Sequence, residues 1–376
     1  MKMYIKPLTK QKLAHYLSIK DLTKDKNHAI GLLAEKIINS VKSSHPASDI
    51  RIYRKDPIVT VADNYDALGI TTDNITRSST YTHYIDETHL LQCHTTAQIP
   101  SILRELATTK DQWNDVVILV PGLAYRRDVT DKKHVGEVHM IDIWRVVKNN
   151  GNPPINKQNL LKVVESIAKT AAPSWQLRII DSPHPYTEQG IEVNAVQGDR
   201  DIEILECGLI KPQILSNAGL DPAEYSGWAS GLGLDRLVMT LKGLPDIRYL
   251  RSQNPKIAEQ MKDLATYHEV SNQPTIKRDM SYSVPAKYVE EDISDEIREA
   301  LGEQQNILES VKILSETPYE NLPEKIRERL GISKNQKNIL VRITLRDLTR
   351  TLEKTEANQI YNDIYTKINH SATGYI

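Results

Sequence analysis

Arg126, Asp128, Glu203 and Arg236 are charged residues set among segments that otherwise read as apolar strands and helices. Arg126, Arg127, Asp128 and His134 fall in a polar loop within residues 122–142, flanked by two β-like pieces. Arginines at a strand end clamp phosphate with a fixed fork of donors, and a neighbouring carboxylate accepts from an amino group. Glu203 lies in the run Asp-Ile-Glu-Ile-Leu-Glu-Cys-Gly (residues 201–208), where an inward carboxylate can hold Mg2+ bridged to phosphates. Residues 227–236 read Gly-Trp-Ala-Ser-Gly-Leu-Gly-Leu-Asp-Arg, with glycines spaced along a strand-to-helix passage that ends in an Asp-Arg pair. Glycine lets the backbone approach a ligand closely, and Arg236 can meet a phosphate or a planar ring. Each piece alone also has an ordinary structural reading, since Gly-rich turns before helices commonly only pack.

The surrounding pattern supplies elements to position these groups. Residues 27–42 place Ile30, Leu33, Ile37 and Val41 at helical spacing. Short β-like runs follow at 116–120, 137–147, 177–180, 191–196 and 202–205, with helical patterns at 157–171 and 234–242 interleaved irregularly. Strands without a repeating βαβ rhythm predict an α+β fold, a mostly antiparallel sheet with flanking helices. The character changes near residue 255: a first domain spans 1–255, a connecting helix at 256–267 lies within a linker 256–272, and a second domain spans 273–376. The Ser-Asn-Gln-Pro run at 271–274 marks the boundary. The second domain reads β (276–284), α (289–301), β (307–314), β (338–345), α (354–370) and a short tail at 374–376, close to the split βαβ unit of a ferredoxin-like sandwich. Between Lys334 and Lys354 stand six basic residues against two acidic ones. Along the strand there, Arg342 and Arg346 fall on the alternate set of positions, predicted to be the exposed face. A solvated strand face is the commoner meaning of such a pattern, and a phosphate-tracking surface the sharper one.

Composition narrows the classes. The net charge is −1, so a nucleic-acid partner must be met by local patches and not by a global basic field. Cys93 and Cys207 lack metal-type spacing and suggest a reducing compartment. No apolar run approaches membrane-spanning length, and the first residues lack a signal-peptide or transit pattern, so a cytoplasmic protein without membrane contact is expected. Among 376 residues there are 17 tyrosines and 4 tryptophans but no phenylalanine, an ordinary core filler whose complete loss is not chance. A message without Phe codons can be translated when Phe-charged tRNA is scarce or misloaded.

Taken in order, the motifs resemble those of class II aminoacyl-tRNA synthetases, and of the phenylalanyl-tRNA synthetase family in its single-chain organellar form. Residues 27–41 are similar to the first motif, 122–142 to the second and 227–236 to the third. Pro-Ile-Val-Thr-Val-Ala-Asp-Asn-Tyr-Asp-Ala-Leu-Gly-Ile (57–70) resembles the Asn-Phe-Asp-x-Leu region. Leu-Leu-Gln-Cys-His-Thr-Thr (90–96) resembles Leu-Leu-Arg-x-His-Thr-Ser, and Leu-Pro-Asp-Ile-Arg (244–248) follows as in the family. Residues 277–282 and 346–352 resemble its ferredoxin-fold anticodon-binding module. The resemblance implies an ATP-dependent ligase that joins an amino acid to tRNA by way of an aminoacyl adenylate, with ATP and Mg2+. It gives Arg126 the α-phosphate, Asp128 the adenine amino group, His134 a phosphate, Val138 the side of the adenine, and Glu203 the metal. Arg236 lies over adenine and reaches the γ-phosphate, so Arg126 and Arg236 are the catalytic pair. His94, Thr96, Met140, Asp142, His184, Tyr186, Thr187, Ala229 and Gly231 line the amino-acid site, and Lys334, Lys337, Arg342, Arg346 and Arg350 are the tRNA-binding candidates. The single-chain relatives favour a monomer over a homodimer.

The chain departs from the family pattern at the amino-acid site. His184-Pro185-Tyr186 stands for Phe-Pro-Phe, and Val138-His139-Met140-Ile141-Asp142 for Phe-His-Gln-x-Glu, whose Gln and Glu bind the substrate ammonium. Ser230 stands for Phe in Ala-Phe-Gly, and Ile99 for a Gln. Purging of Phe accounts for Tyr65 and Tyr282 but not for Met140 and Asp142. Altered specificity is the other account, because His184, Tyr186 and Thr187 can hydrogen-bond a substrate hydroxyl or ring nitrogen, and such sites discriminate strongly. A tRNA-binding regulatory paralogue and an adenylate-forming enzyme with another acceptor are the rival functions. Retention of Arg126, Asp128, Glu203 and Arg236 counts against the first, and the basic strand against the second.

Overall fold

The structure is a computed structural model that describes residues 5–128, 131–270 and 273–368. The expected tail at 374–376, residues 369–370 of the expected last helix and Ser271–Asn272 of the expected boundary lie outside the described residues. The chain forms two compact units. The first takes residues 1–126, 137–244 and 260–267, and the second takes 127–136, 245–259 and 268–376.

Helices α1 (Lys10–Ser18), α2 (Ala29–Ser44), α3 (Val61–Asn64), α4 (Ile99–Thr108), α5 (Lys157–Ala171), α6 (Pro212–Asn217) and α7 (Leu234–Lys242) belong to the first unit. Its strands are β1 (Asp49–Ile52), β2 (Ile58–Thr60), β3 (His89–Leu91), β4 (Asp115–Tyr125), β5 (Glu137–Lys148), β6 (Gln176–Asp181), β7 (Thr187–Gln197), β8 (Arg200–Ile210) and β9 (Tyr225–Gly233). Seven strands make one sheet in the order β1-β4-β5-β9-β8-β7-β6, with β1 parallel to β4 and every other pair antiparallel. Strands β2 and β3 pair separately. The apolar alternation explains the layers. Ile30, Leu33, Ile37 and Val41 of α2 are all buried, and α2 lies against α5 and α7. On the opposite face, Ile102, Leu103 and Leu106 of α4 pack with Val116, Ile118, Trp144, Val146 and Ala229.

Helix α2 starts with little room to spare. A Cβ on Gly31 would stand 2.0 Å from the Asp25 carbonyl oxygen, so only glycine permits this approach. Strand β5 is fastened to α7 by His139, which is fully buried. The Leu22 amide donates to its Nε2 at 3.0 Å, leaving Nδ1 to donate to the Asp235 carboxylate at 3.2 Å. Asp235 also accepts from the His139 amide at 2.5 Å.

The second unit contains α8 (Pro255–Gln260), α9 (Glu290–Leu301), α10 (Glu324–Leu330) and α11 (Lys354–Ile368), with β10 (Ile276–Pro285), β11 (Leu308–Pro318) and β12 (Gln336–Leu345). Its sheet is antiparallel in the order β10-β12-β11. One face, with Met280, Tyr282, Val284, Ile339, Val341 and Ile343, packs against Ile293 and Ile297 of α9 and Ile360 and Ile364 of α11. The connecting helix expected at 256–267 is shorter: α8 closes at Gln260, and residues 260–267 belong to the first unit. There the buried Lys242 ammonium donates to the carbonyls of Asp263 at 3.0 Å and Ala265 at 2.7 Å, fixing an irregular path instead of a helix.

Candidate active site

Register alone builds a trough. Directly opposed residues of antiparallel strands project to the same face. Met140 opposes Gly233, Asp142 opposes Gly231 and Trp144 opposes Ala229. Across the next pair Glu206 opposes Gly231 and Gly208 opposes Ala229. Three rows therefore cross one face: Met140–Gly233, Asp142–Gly231–Glu206 and Trp144–Ala229–Gly208. Because β9 contributes Gly233, Gly231, Ala229 and Gly227, the floor between the side chains of β5 and β8 is bare backbone and one methyl. Gly227 itself allows a close crossing, since a Cβ there would stand 2.1 Å from the Arg145 carbonyl oxygen.

Charge is graded along this trough. At the Gly233 end, Arg236 opens α7 and its Nη2 lies 3.3 Å from Glu203 Oε2, with both side chains open to solvent. Arg126 follows the end of β4, where its Nε donates to the Cys93 carbonyl at 2.8 Å and its Nη2 lies 3.6 Å from Met140 Sδ. In the middle row Asp142 is sealed, 1% exposed. Thr95 Oγ1 donates to its Oδ2 at 2.6 Å, Thr96 Oγ1 to its Oδ1 at 2.8 Å and Trp144 Nε1 to Oδ1 at 3.3 Å. Burial pushes the Asp142 pKa up, and these hydrogen bonds oppose it. Glu206 is pushed up to about 7, first by burial and then by the charges of Glu203 and Glu192, while Arg126 and Arg236 pull the other way.

The far end is aromatic and polar. Tyr186 stacks on Trp144 with centroids 5.7 Å apart and on His184 at 6.2 Å. His184 Nδ1 lies 3.8 Å from Glu206 Oε2, and burial lowers the imidazole pKa. Thr187 is 3% exposed and its Oγ1 has no partner. That oxygen stands 2.7 Å from where a Gly208 Cβ would be, so it faces the trough over the third row. His94 is held neutral, its pKa lowered to about 3 by burial and then by the charge of Arg126.

The comparisons settle what this architecture is. A model described as tRNA synthetases class II core domain (F) matches residues 16–261. The chain belongs to the class II tRNA synthetases. A ferredoxin-fold anticodon binding domain model matches residues 271–374. The chloroplastic/mitochondrial phenylalanine–tRNA ligase of Arabidopsis thaliana is 26% identical over 91% of this chain and 75% of its own length. The mitochondrial phenylalanine–tRNA ligase of Saccharomyces cerevisiae is 25% identical over 94% of this chain and 88% of its own. No helix among the described residues is long and apolar enough to cross a membrane.

Most of the residues expected to form the site lie in the first unit. Arg126, Glu203, Arg236, His94, Thr96, Met140, Asp142, His184, Tyr186, Thr187, Ala229 and Gly231 all belong to the first unit. Val138 lies on β5, opposite Ala124. Asp128 and His134 fall in the second unit. There the Asp128 carbonyl accepts from Arg298 Nη1 at 2.9 Å, and His134 Nδ1 lies 2.8 Å from Asp131 Oδ2. Arg127, grouped by sequence with the phosphate-clamping loop, is instead buried in the second unit, its Nη2 3.0 Å from Asp295 and 3.4 Å from Asp292. Ser230, which stands among the altered site positions, opposes Cys207 on the other face of the sheet, away from the trough.

The cationic strand face also needs correction. Arg342 is gripped at both Nε and Nη2 by Asp279, each at 2.7 Å, and Arg346 is half-buried with its Nε 2.7 Å from Glu309. Lys337 pairs with Glu316 at 2.8 Å, and Arg350 pairs with Glu356 at 2.5 Å. Lys334 is exposed. The arginines thus sit among matching carboxylates that come from β10, β11 and α11, outside the stretch in which the six-to-two charge count was made. Sequence reasoning missed Glu206, Trp144 and Thr95. Glu206 was masked by a β-bulge: Val193 and Asn194 of β7 oppose Leu205 and Glu203 of β8, so Ile204 is an extra residue that breaks the alternation between Glu203 and Glu206.

Proposed function

We propose that this chain is an ATP-dependent aminoacyl-tRNA ligase acting on phenylalanine and its tRNA, as its relatives are named. The observation that carries the reading is the trough along β9, cationic at its Gly233 end and walled by aromatic rings at its Ala229 end. A nucleotide lies at the first end, with Arg126 on the α-phosphate and Arg236 on the ring and γ-phosphate. The amino acid lies at the second, its ring beside Tyr186, which is backed by Trp144. Its carboxylate oxygen attacks the α-phosphorus, the bond to the β-phosphate breaks, and pyrophosphate leaves. Arg126 stabilises the charge that gathers on the phosphoryl oxygens. A terminal ribose hydroxyl of the tRNA then attacks the carbonyl carbon and AMP departs. Most of the rate comes from positioning and electrostatics, with no covalent enzyme intermediate.

The donor set fits magnesium held mainly by the nucleotide. Glu203 is a half-exposed carboxylate beside Glu206 and Glu192, and no group of three metal-ligating side chains is gathered among the described residues. One protein carboxylate with phosphate oxygens and waters is a usual magnesium shell. When bound there, the ion neutralises charge on the phosphates.

The second unit is read as the tRNA-binding module, with Lys334, Lys337, Arg342, Arg346 and Arg350 as its candidate contacts. Exposed ion pairs such as Arg342–Asp279 are worth little and exchange readily for phosphate. The single-chain relatives support a monomer. Replacement of Arg236 tests the nucleotide assignment. Arg236→Ala is expected to lower amino-acid-dependent ATP–pyrophosphate exchange at least ~100-fold, the scale of losing one charge-stabilising group, with an unchanged melting temperature. Exchange within threefold of wild type would refute the assignment.

A further inference from the structure

We infer that Glu206, and not Asp142, receives the α-ammonium of the amino acid, seated over Gly231 in the middle row of the trough. This deepens the ligase reading and rests on it. An amino acid enters as a zwitterion, and a partly buried site must match both charges or lose affinity. Arg126 lies on the carboxylate side. Two acids flank Gly231 as possible partners for the ammonium, one on each neighbouring strand.

Asp142 is already spent. Both its oxygens accept from threonine hydroxyls, Oδ1 accepts again from Trp144, and the side chain is buried. Glu206 is one methylene longer, and its side chain is 40% exposed, with the His184 imidazole 3.8 Å away. Its other charged neighbours include two carboxylates, Glu203 and Glu192, so a cation delivered beside it relieves repulsion. The floor leaves room for that cation. Around a Cβ built on Gly231 the only atom within 4 Å is Asp142 Oδ1, at 3.9 Å, so the space over this glycine is open.

A separate observation points to a ligand. Thr187 Oγ1 is buried, unpartnered and aimed at the same face of β8, two residues along from Glu206. Buried hydroxyls ordinarily find partners, so an unpartnered one on this face marks room for a polar ligand group. Relocating the ammonium partner to β8 also explains how a chain with Met140 and Asp142 on β5 can retain a working site. The function of those two positions has moved two strands across the sheet, from β5 to β8.

The test pairs a residue change with a ligand change on the full chain. Pyrophosphate exchange supported by L-phenylalanine gives the KM, and inhibition by 3-phenylpropionate, the same molecule without the amino group, gives the comparison. If another amino acid supports exchange best, it and its own desamino acid replace this pair. Wild type is expected to prefer the amino acid at least ~30-fold. In Glu206→Gln that preference collapses to within about threefold, while the KM for ATP changes less than about threefold, and Glu206→Asp restores part of the preference. Asp142→Asn keeps the preference. A preference that survives in Glu206→Gln, or that collapses in Asp142→Asn instead, overturns the inference while leaving the ligase reading intact. Wild type without exchange for any amino acid overturns both.

Discussion

His94 shows how far a single environment can bend a side chain's chemistry. Burial and the neighbouring Arg126 hold its pKa at about 3, against an ordinary value of 6.5. The folded state therefore binds fewer protons than the unfolded chain between those two values. Stability is full above the unfolded value and falls as pH drops through the interval. Urea unfolding at about pH 7 and about pH 5 should show a loss for wild type that is smaller in His94→Gln. Equal losses in the two proteins would contradict this placement. At the same scale, Cys207 is buried with its thiol pushed up to about 12, which makes it an inert packing residue.

At the scale of elements, the trough depends on β9 being nearly bare. Gly227→Ala would drive a methyl to 2.1 Å from the Arg145 carbonyl oxygen on the central strand, where backbone cannot yield locally. A loss of about 3 kcal/mol is expected, the upper part of the range for overpacking, seen as a lower urea midpoint with an unchanged m-value. A stability within about 0.5 kcal/mol of wild type would mean that the β5–β9 crossing is looser than described. Elements with strong local periodicity were readable in the sequence. The helix expected at 157–171 coincides with α5 (Lys157–Ala171) and that at 234–242 with α7 (Leu234–Lys242). Asn156 caps α5 by accepting from the amides of Gln158 and Asn159, and Gly243 closes α7 in the left-handed conformation. What was not readable came from pairing. Strand β9 was hidden because glycines carry no alternation, and Glu206 because a bulge on β7–β8 shifts the phase. The carboxylates that neutralise Arg342 and Arg346 arrive from other strands.

For the whole molecule, the class II core is shown by the match over residues 16–261, and the second unit carries the ferredoxin-fold anticodon-binding match over 271–374. The complete absence of phenylalanine is accommodated structurally: Tyr65 and Tyr282 are buried and Ser230 fills a core position facing Cys207. Tyr65 places its hydroxyl 2.8 Å from the Thr76 carbonyl, so that replacement is hydrogen-bonded. The Tyr282 hydroxyl and the Ser230 hydroxyl are buried without partners, which is a cost the chain bears. Such a chain can be made while Phe-tRNA is depleted. The reading of the molecule as a phenylalanine ligase is tested most directly by charging. Purified full-length protein, ATP, magnesium, tRNA from a Phe-accepting pool and each amino acid in turn should give acid-precipitable aminoacyl-tRNA with phenylalanine above all others. Charging with none of the amino acids, or with a different one while phenylalanine is refused, would contradict it.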